Sequence, residues 1–322
     1  MTEIVAADIG GTHARFALAR VSARCVVELV EPLILRAADY PGLAAAWAAF
    51  GATVAHPLPR AAAIAVAAPP GDIYKFTNSD WVVRPATLAA DLGLDAFTLI
   101  NDFGAVGHAV AALDPAHFRH VCGPDIALPL AGQISIIGPG TGLGVAQLLR
   151  SKDHYHVIAT EGGHIGFSPV DDLEERIAAR VTARHGRTSI ERLVSGAGLA
   201  PIAETLAADA SAVLPPRDDK QLWIAALSGS DPLLTEAVAV FCRIWGSITG
   251  DLALAHGAHA VVLAGGIGAR LAERLPASGF AERFTAKGRY AARQAALPVR
   301  IIIHPEPGLY GAATAFAREH LA

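Results

Sequence analysis

Asp8-Ile9-Gly10-Gly11-Thr12 is entered by an apolar, β-prone run at 4–7 and left by another at 14–18. That order predicts strand, tight turn, strand. The pattern recurs in mid-chain, where 134–137 leads into Gly138-Pro139-Gly140-Thr141-Gly142-Leu143-Gly144 and 145–149 leads out. Glycine permits positive φ and close approach of a ligand to the main chain, so turn N–H groups and a Thr hydroxyl can converge on phosphate oxygens. One such turn alone reads as an ordinary hairpin. Two, one carrying Asp-x-Gly-Gly-Thr and the other Gly-Thr-Gly, point to a split phosphate clamp. There is no G-x-x-x-x-G-K-[ST], and the mid-chain run lacks the third-glycine spacing and following helix of a dinucleotide fingerprint.

Working outward, the first hairpin leads to a strand-like stretch at 25–35, a helix at 42–54 and a strand at 62–66, an α/β domain that begins with antiparallel strands. A polar-turned segment at 69–81 precedes a short helix at 85–92 and a strand at 97–100, which delivers Asn101-Asp102 at its carboxyl end, where α/β folds place chemistry. A helix at 103–113 then crosses to a second domain whose sheet starts at 134, with strands at 133–137, 145–149 and 155–159. The repeated order suggests internal duplication of one βββαβα-like unit. Helices are expected at 171–184, 198–208 and 232–256, a loop at 215–219, and a buried strand at 261–263 ending in Gly265-Gly266-Ile267-Gly268 ahead of a helix. A strand at 299–303 and a helix at 308–320 close the chain.

With 322 residues, 52% hydrophobic and 17% charged, the chain has ample core for two domains and no disordered profile. A net charge of −4 without a basic run argues against a nucleic-acid surface. Cys25, Cys122 and Cys242 show neither a disulfide framework nor metal-ligand spacing, which fits a reducing cytoplasm. A strand-like segment four residues in leaves no room for a signal peptide, and no apolar stretch approaches the ~18 residues of a membrane span.

Asn101-Asp102 can present a proton acceptor and a hydroxyl-fixing amide, although on the dipeptide alone Asp102 reads as the cap of the next helix. Glu161-Gly162-Gly163-His164 can offer a carboxylate and an imidazole to one polyol, and it is not the H-E-x-x-H of a zinc site. Glu191 is a second carboxylate that alone reads as a solvated helix residue. Asp8, beside a phosphate-binding turn, suits Mg²⁺, which keeps most of its waters.

Together these residues resemble the bacterial glucokinases of the sugar kinase and actin superfamily. The likeness covers nearly the whole chain: Asp8 to Thr12 with Ala14-Arg15-Phe16-Ala17-Leu18, Thr77-Asn78-Ser79-Asp80-Trp81, Asn101-Asp102-Phe103, Gly138 to Val145, Glu161 to His164, Glu191-Arg192 with Ser195-Gly196-Ala197-Gly198-Leu199, and Ala264-Gly265-Gly266-Ile267. The resemblance implies two α/β domains of ribonuclease-H-like, actin-like ATPase topology with an active-site cleft between them. The smaller would comprise 1–112 and 302–322, the last strand and helix returning to it, and the larger 113–301. It implies phosphate loops at Gly10, Gly11 and Thr12 and at Gly138, Gly140, Thr141 and Gly142, and an adenosine site at Gly265 and Gly266. Asp8 would meet Mg²⁺ through water. Asp102 would be the catalytic base, and Asn78, Asn101, Asp102, Glu161, His164 and Glu191 the sugar ligands. The implied reaction is ATP-dependent phosphorylation of D-glucose at the 6-hydroxyl, the first step of glycolysis, by a cytoplasmic homodimer. Kinases for fructose, mannose or an acylamino sugar share the same base and loops. A non-catalytic sugar sensor would need a DNA-binding module, which the sequence does not offer. His13 stands where the family commonly has Asn, Gly166 stands where some relatives carry Asp, and the zinc motif of the related repressor and kinase group is absent.

Overall fold

The computed structural model describes residues 1–23, 25–68, 71–76, 79–152 and 154–322. It divides into two compact units, one of Met1–Asp114, Val157–Ala159 and His304–Ala322, the other of Pro115–His156 and Thr160–Ile303.

In the first unit β1 (Thr2–Ile9) and β2 (His13–Ser22) form the antiparallel hairpin, with Ile9 opposite Ala14. The stretch expected as one strand over 25–35 is two, β3 (Cys25–Leu29) and β4 (Leu33–Arg36), both paired with β2. Pro32 lies between them and has no N–H for the ladder. There follow α1 (Leu43–Gly51), β5 (Ala61–Val66), the hairpin of β6 (Tyr74–Phe76) and β7 (Ser79–Val83), α2 (Pro85–Leu92), β8 (Ala96–Asn101) and α3 (Asp102–Ala112). α2 opens on Pro85 and stops at Gly93, which takes the left-handed conformation that glycine enters most cheaply. The sheet order is β3-β2-β1-β5-β8, with β1, β5 and β8 parallel. β1 is apolar on both faces because both are covered. Ile4 and Ala6 join Ala105 of α3 and Leu309 and Phe316 of the C-terminal helix Pro307–His320, while Val5, Ala7 and Ile9 join Phe16, Trp47 and Phe50.

The second unit contains β9 (Phe118–Cys122), β10 (Gly132–Pro139), β11 (Leu143–Ser151), the two ends of β12 (His154–Thr160), whose residues 157–159 group with the first unit, α4 (Asp172–His185), α5 (Leu199–Asp209), α6 (Asp219–Ser228) and α7 (Pro232–Ala255). β13 (Ala260–Leu263), α8 (Gly266–Leu271), α9 (Phe280–Thr285), α10 (Ala291–Ala295) and β14 (Val299–Ile302) complete it, and the C-terminal helix is α11. Its sheet order, β12-β11-β10-β13-β14-β9, repeats the hairpin-then-parallel order of the first over five strands. That agreement supports the duplication read from sequence.

Three expectations need correction. The second sheet does not start at 134, since β9 precedes it and pairs antiparallel with β14. The last strand does not return to the first unit: Val299 and Ile301 are buried, β14 pairs parallel with β13, and only α11 returns. An apolar stretch of membrane-span length does exist, because α7 has an 18-residue window of mean hydropathy 1.4. That window is 78% buried, and Phe241 and Trp245 of α7 meet Trp223 and Phe280 edge-on at 5.0 and 5.4 Å, so α7 is the core helix of its unit. Each such fully buried aromatic contributes roughly 1.5–3 kcal/mol of transfer free energy.

Candidate active site

In the first unit the parallel strands bring two of the sequence-selected groups to one edge. Ile9 pairs with Val66 and Val66 with Asn101, so the glycine turn after β1 and the Asn101-Asp102 pair lie at the carboxyl ends of two parallel strands separated only by β5. Helix α3 is capped by Asn101, not by Asp102. The Asn101 Oδ1 accepts from the N–H groups of Phe103 at 2.9 Å and Gly104 at 3.0 Å. Asp102 is therefore the first helical residue, half-buried, and its Oδ1 accepts from Phe103 N–H at 2.8 Å. Asn78, the remaining sugar ligand expected of this unit, lies outside the described residues, as do Thr77, Pro69 and Pro70.

Asp8, the penultimate residue of β1, has a side chain 22% exposed, and burial raises its pKa above the usual carboxylate value while Arg15 opposes that rise. Arg15 Nη1 stands 3.5 Å from Asp8 Oδ2, and Arg15 Nε stands 3.7 Å from Glu306 Oε2. Burial also raises the pKa of Glu306, with Arg15 lowering it and Asp8 adding to the rise. A Cβ on Gly308, in the first turn of α11, would lie 2.9 Å from Asp8 Oδ2, so glycine there admits the carboxylate. Arg15 and Glu306 were not selected from sequence. Arg15 had a signal, since hairpin register sets it opposite Asp8, whereas Glu306 is far along the chain and had none.

In the second unit the mid-chain turn lies against the turn after β13. Ile137 pairs with Leu263, and Cβ atoms on Gly138 or on Gly265, which has φ +82°, would strike the main chain of the opposing turn. This brings Gly138, Gly140, Thr141 and Gly142 beside Gly265 and Gly266. The sugar-ligand candidates also gather here. His164 Nε2 is 3.7 Å from Glu161 Oε2, and His164 Nδ1 is 4.0 Å from Glu191 Oε1. Glu161 and His164 are well exposed and Glu191 is half-buried, so two carboxylate acceptors flank one imidazole at a surface a polyol can reach. A cavity of about 150 Å³ opens beside them, lined by His164, His185, Arg187, Ser189, Glu191 and Arg192, and Arg187 Nη2 donates to the His164 carbonyl at 3.0 Å. A larger groove of about 590 Å³ runs along α4 and α5, but its arginines are engaged with Asp209 and Glu204 and it holds none of the selected residues.

The Glucokinase family model matches residues 5–319. The chain belongs to the glucokinase family. The glucokinase of Zymomonas mobilis subsp. mobilis is 53% identical over 319 residues, covering 99% of this chain and 98% of that relative. The glucokinase of Paramagnetospirillum magneticum is 39% identical, covering 96% of each. Among solved structures, a glucokinase from an Antarctic psychrotroph superposes with a TM-score of 0.82 at 31% identity, covering 98% of this chain and 99% of that one. The glucokinase of Balamuthia mandrillaris, solved in complex with glucose, has a TM-score of 0.79 at 21% identity, covering 98% and 94%, and speaks for the fold. Membership makes the chain a kinase with the two-domain actin-like ATPase fold. Burial pushes the Cys122 thiol up to about 12 and the Cys242 thiol up to about 11, so neither is a thiolate near neutral pH.

Proposed function

We propose that this chain transfers the terminal phosphoryl group of ATP to the 6-hydroxyl of D-glucose, giving glucose 6-phosphate and ADP, with Asp102 as general base. The observation that carries this reading is the division of labour at the end of β8. Because Asn101 supplies the cap, the Asp102 carboxylate is not required for it, and the Phe103 N–H fixes how it points. Asp102 takes the proton of the 6-hydroxyl as that oxygen forms its bond to phosphorus and the bond to the ADP oxygen breaks. Asn101, Glu161, His164 and Glu191 hold the other sugar hydroxyls, the carboxylates accepting and the imidazole and amide donating.

The two glycine turns, with Thr12 and Thr141, receive the phosphates, and Gly265 and Gly266 lie where the nucleoside approaches. Mg²⁺ enters as part of the MgATP substrate. Among the described residues no group of three His, Cys, Asp or Glu could hold a metal ion. The partly exposed Asp8 carboxylate, with the exposed Thr12 close in the following turn, suits an ion that keeps its waters and takes phosphate oxygens as ligands. When bound, the ion neutralises phosphate charge. The same reading makes the protein a homodimer, which sedimentation velocity tests.

The test is a coupled kinase assay with ATP and Mg²⁺ over a panel of hexoses, with Asp102→Ala alongside. Turnover with glucose is expected, and the variant is expected to lose about 10²–10⁴ in kcat while still binding nucleotide. A variant within a few-fold of the parent removes Asp102 from the mechanism, and preference for another hexose moves the acceptor.

A further inference from the structure

Glu191 reaches two places at once. Its Oε1 faces His164 Nδ1 at 4.0 Å, on the side assigned to sugar. Its Oε2 accepts the main-chain N–H of Leu143 at 2.9 Å, inside the mid-chain phosphate turn and 48 residues away in sequence. The adjoining residue of the turn leaves space for that same oxygen, since a Cβ on Gly142 would meet Oε2 and is accommodated only if the Glu191 carboxylate moves aside. Two further contacts hold the turn to segments that carry or flank sugar-ligand candidates. Gly163 lies so close to the Leu143 carbonyl that a Cβ there would strike it, and Gly196 N–H donates to the Gly140 carbonyl at 2.8 Å.

We propose that Glu191 is a positioning residue for the phosphate turn, and that through it the sugar-ligand cluster and the nucleotide-phosphate turn of the second unit set one another's geometry. A carboxylate has two oxygens, and here one fixes a turn N–H while the other is directed to the sugar side. An N–H bonded to an ionised acceptor makes one of the stronger hydrogen bonds in a protein. A hydroxyl that draws the carboxylate into place therefore also orders Leu143, and phosphate that orders the turn holds the carboxylate ready for sugar. This inference rests on the reading of 138–144 as a phosphate loop and of His164 and Glu191 as sugar ligands.

Binding measured by calorimetry separates the two ideas. MgADP is titrated without sugar, and glucose without nucleotide, into the parent protein, Glu191→Ala, Glu191→Gln, Gly142→Ala and His164→Ala, each checked for folding by circular dichroism. Glu191→Ala is expected to weaken MgADP about tenfold, the equivalent of one charge-assisted hydrogen bond. Glu191→Gln keeps an amide oxygen for Leu143 N–H but not its charge, so it is expected to recover part of the MgADP affinity lost in Glu191→Ala while glucose binding stays impaired. Gly142→Ala, which forces the carboxylate aside, is expected to weaken glucose several-fold with no nucleotide present. His164→Ala is expected to lose glucose affinity alone. Glu191→Ala binding MgADP like the parent, or Gly142→Ala binding glucose like the parent, overturns the coupling. A parent that binds neither ligand overturns the underlying reading instead. Should Glu191→Ala fail to fold, Glu191→Gln and Gly142→Ala decide the matter.

Discussion

Asn101 serves two ends of one amide. Capping by Oδ1 of both Phe103 and Gly104 fixes which end is oxygen, so Nδ2 is the donor end, and it reaches the Ala68 carbonyl only at 3.5 Å. The two roles come apart by mutation. Asn101→Ala removes the cap and is expected to cost about 1 kcal/mol of stability as well as raising KM for glucose. Asn101→Asp retains a good capping oxygen but not the amide donor, so stability is expected to stay within a few tenths of a kcal/mol while KM still rises. Urea melts paired with glucose saturation curves check both, and a parent-like KM in Asn101→Asp would remove the amide from sugar recognition. The Asp8, Arg15 and Glu306 trio shows what residue-level reading reaches. Asp8 stands out beside the glycines and Arg15 follows from hairpin register, but Glu306 arrives through a helix that closes only when the chain is folded.

Helix α11 joins the first unit by close backbone approach. A Cβ on Gly311 would run into the Ala105 carbonyl of α3, and no flexible side chain lies between to give way. Gly311→Ala is therefore expected to cost about 3 kcal/mol, the upper end for overpacking, and to lower Tm by roughly 6–12 °C. A calorimetric Tm unchanged from the parent would mean the two helices slide apart freely. Elements bounded by Gly and Pro or patterned by local period were legible in the sequence, among them both glycine hairpins, α2 and β8. What was missed depends on distant partners or competing cues. β9 is an edge strand whose partner β14 comes near the end of the chain. α6 begins with an Asp218 and Gln221 capping box that was written in the sequence but lay beside the prolines of the preceding loop. The site divides the same way, since Asp-x-Gly-Gly-Thr and Asn-Asp are local signals, whereas the Glu191 bond to Leu143 joins segments that no spacing links.

Acidification acts on the first unit through His108 of α3. Burial, with Arg318 adding to it, lowers the His108 pKa from 6.5 to about 4. Above the unfolded-state value both states carry a neutral imidazole and the group adds no pH dependence. As pH falls below it, the unfolded chain binds a proton that the folded one refuses, so stability is lost progressively until the folded value is reached. Between about pH 7 and about pH 5 this group alone removes roughly 2 kcal/mol. Asp8 and Glu306, whose pKa values are raised, act in the opposite sense over their own range, so the contribution of His108 is isolated only by comparison with a neutral substitute. His108→Gln is that substitute. Because a chain of two units need not unfold in one step, amide hydrogen exchange in α3 and α11 is the suitable measure. On moving from about pH 7 to about pH 5, and after correction for intrinsic exchange, protection of these helices is expected to fall about twentyfold more in the parent than in His108→Gln. Equal losses in the two proteins would show that His108 takes up its proton in the folded state as readily as in the unfolded one.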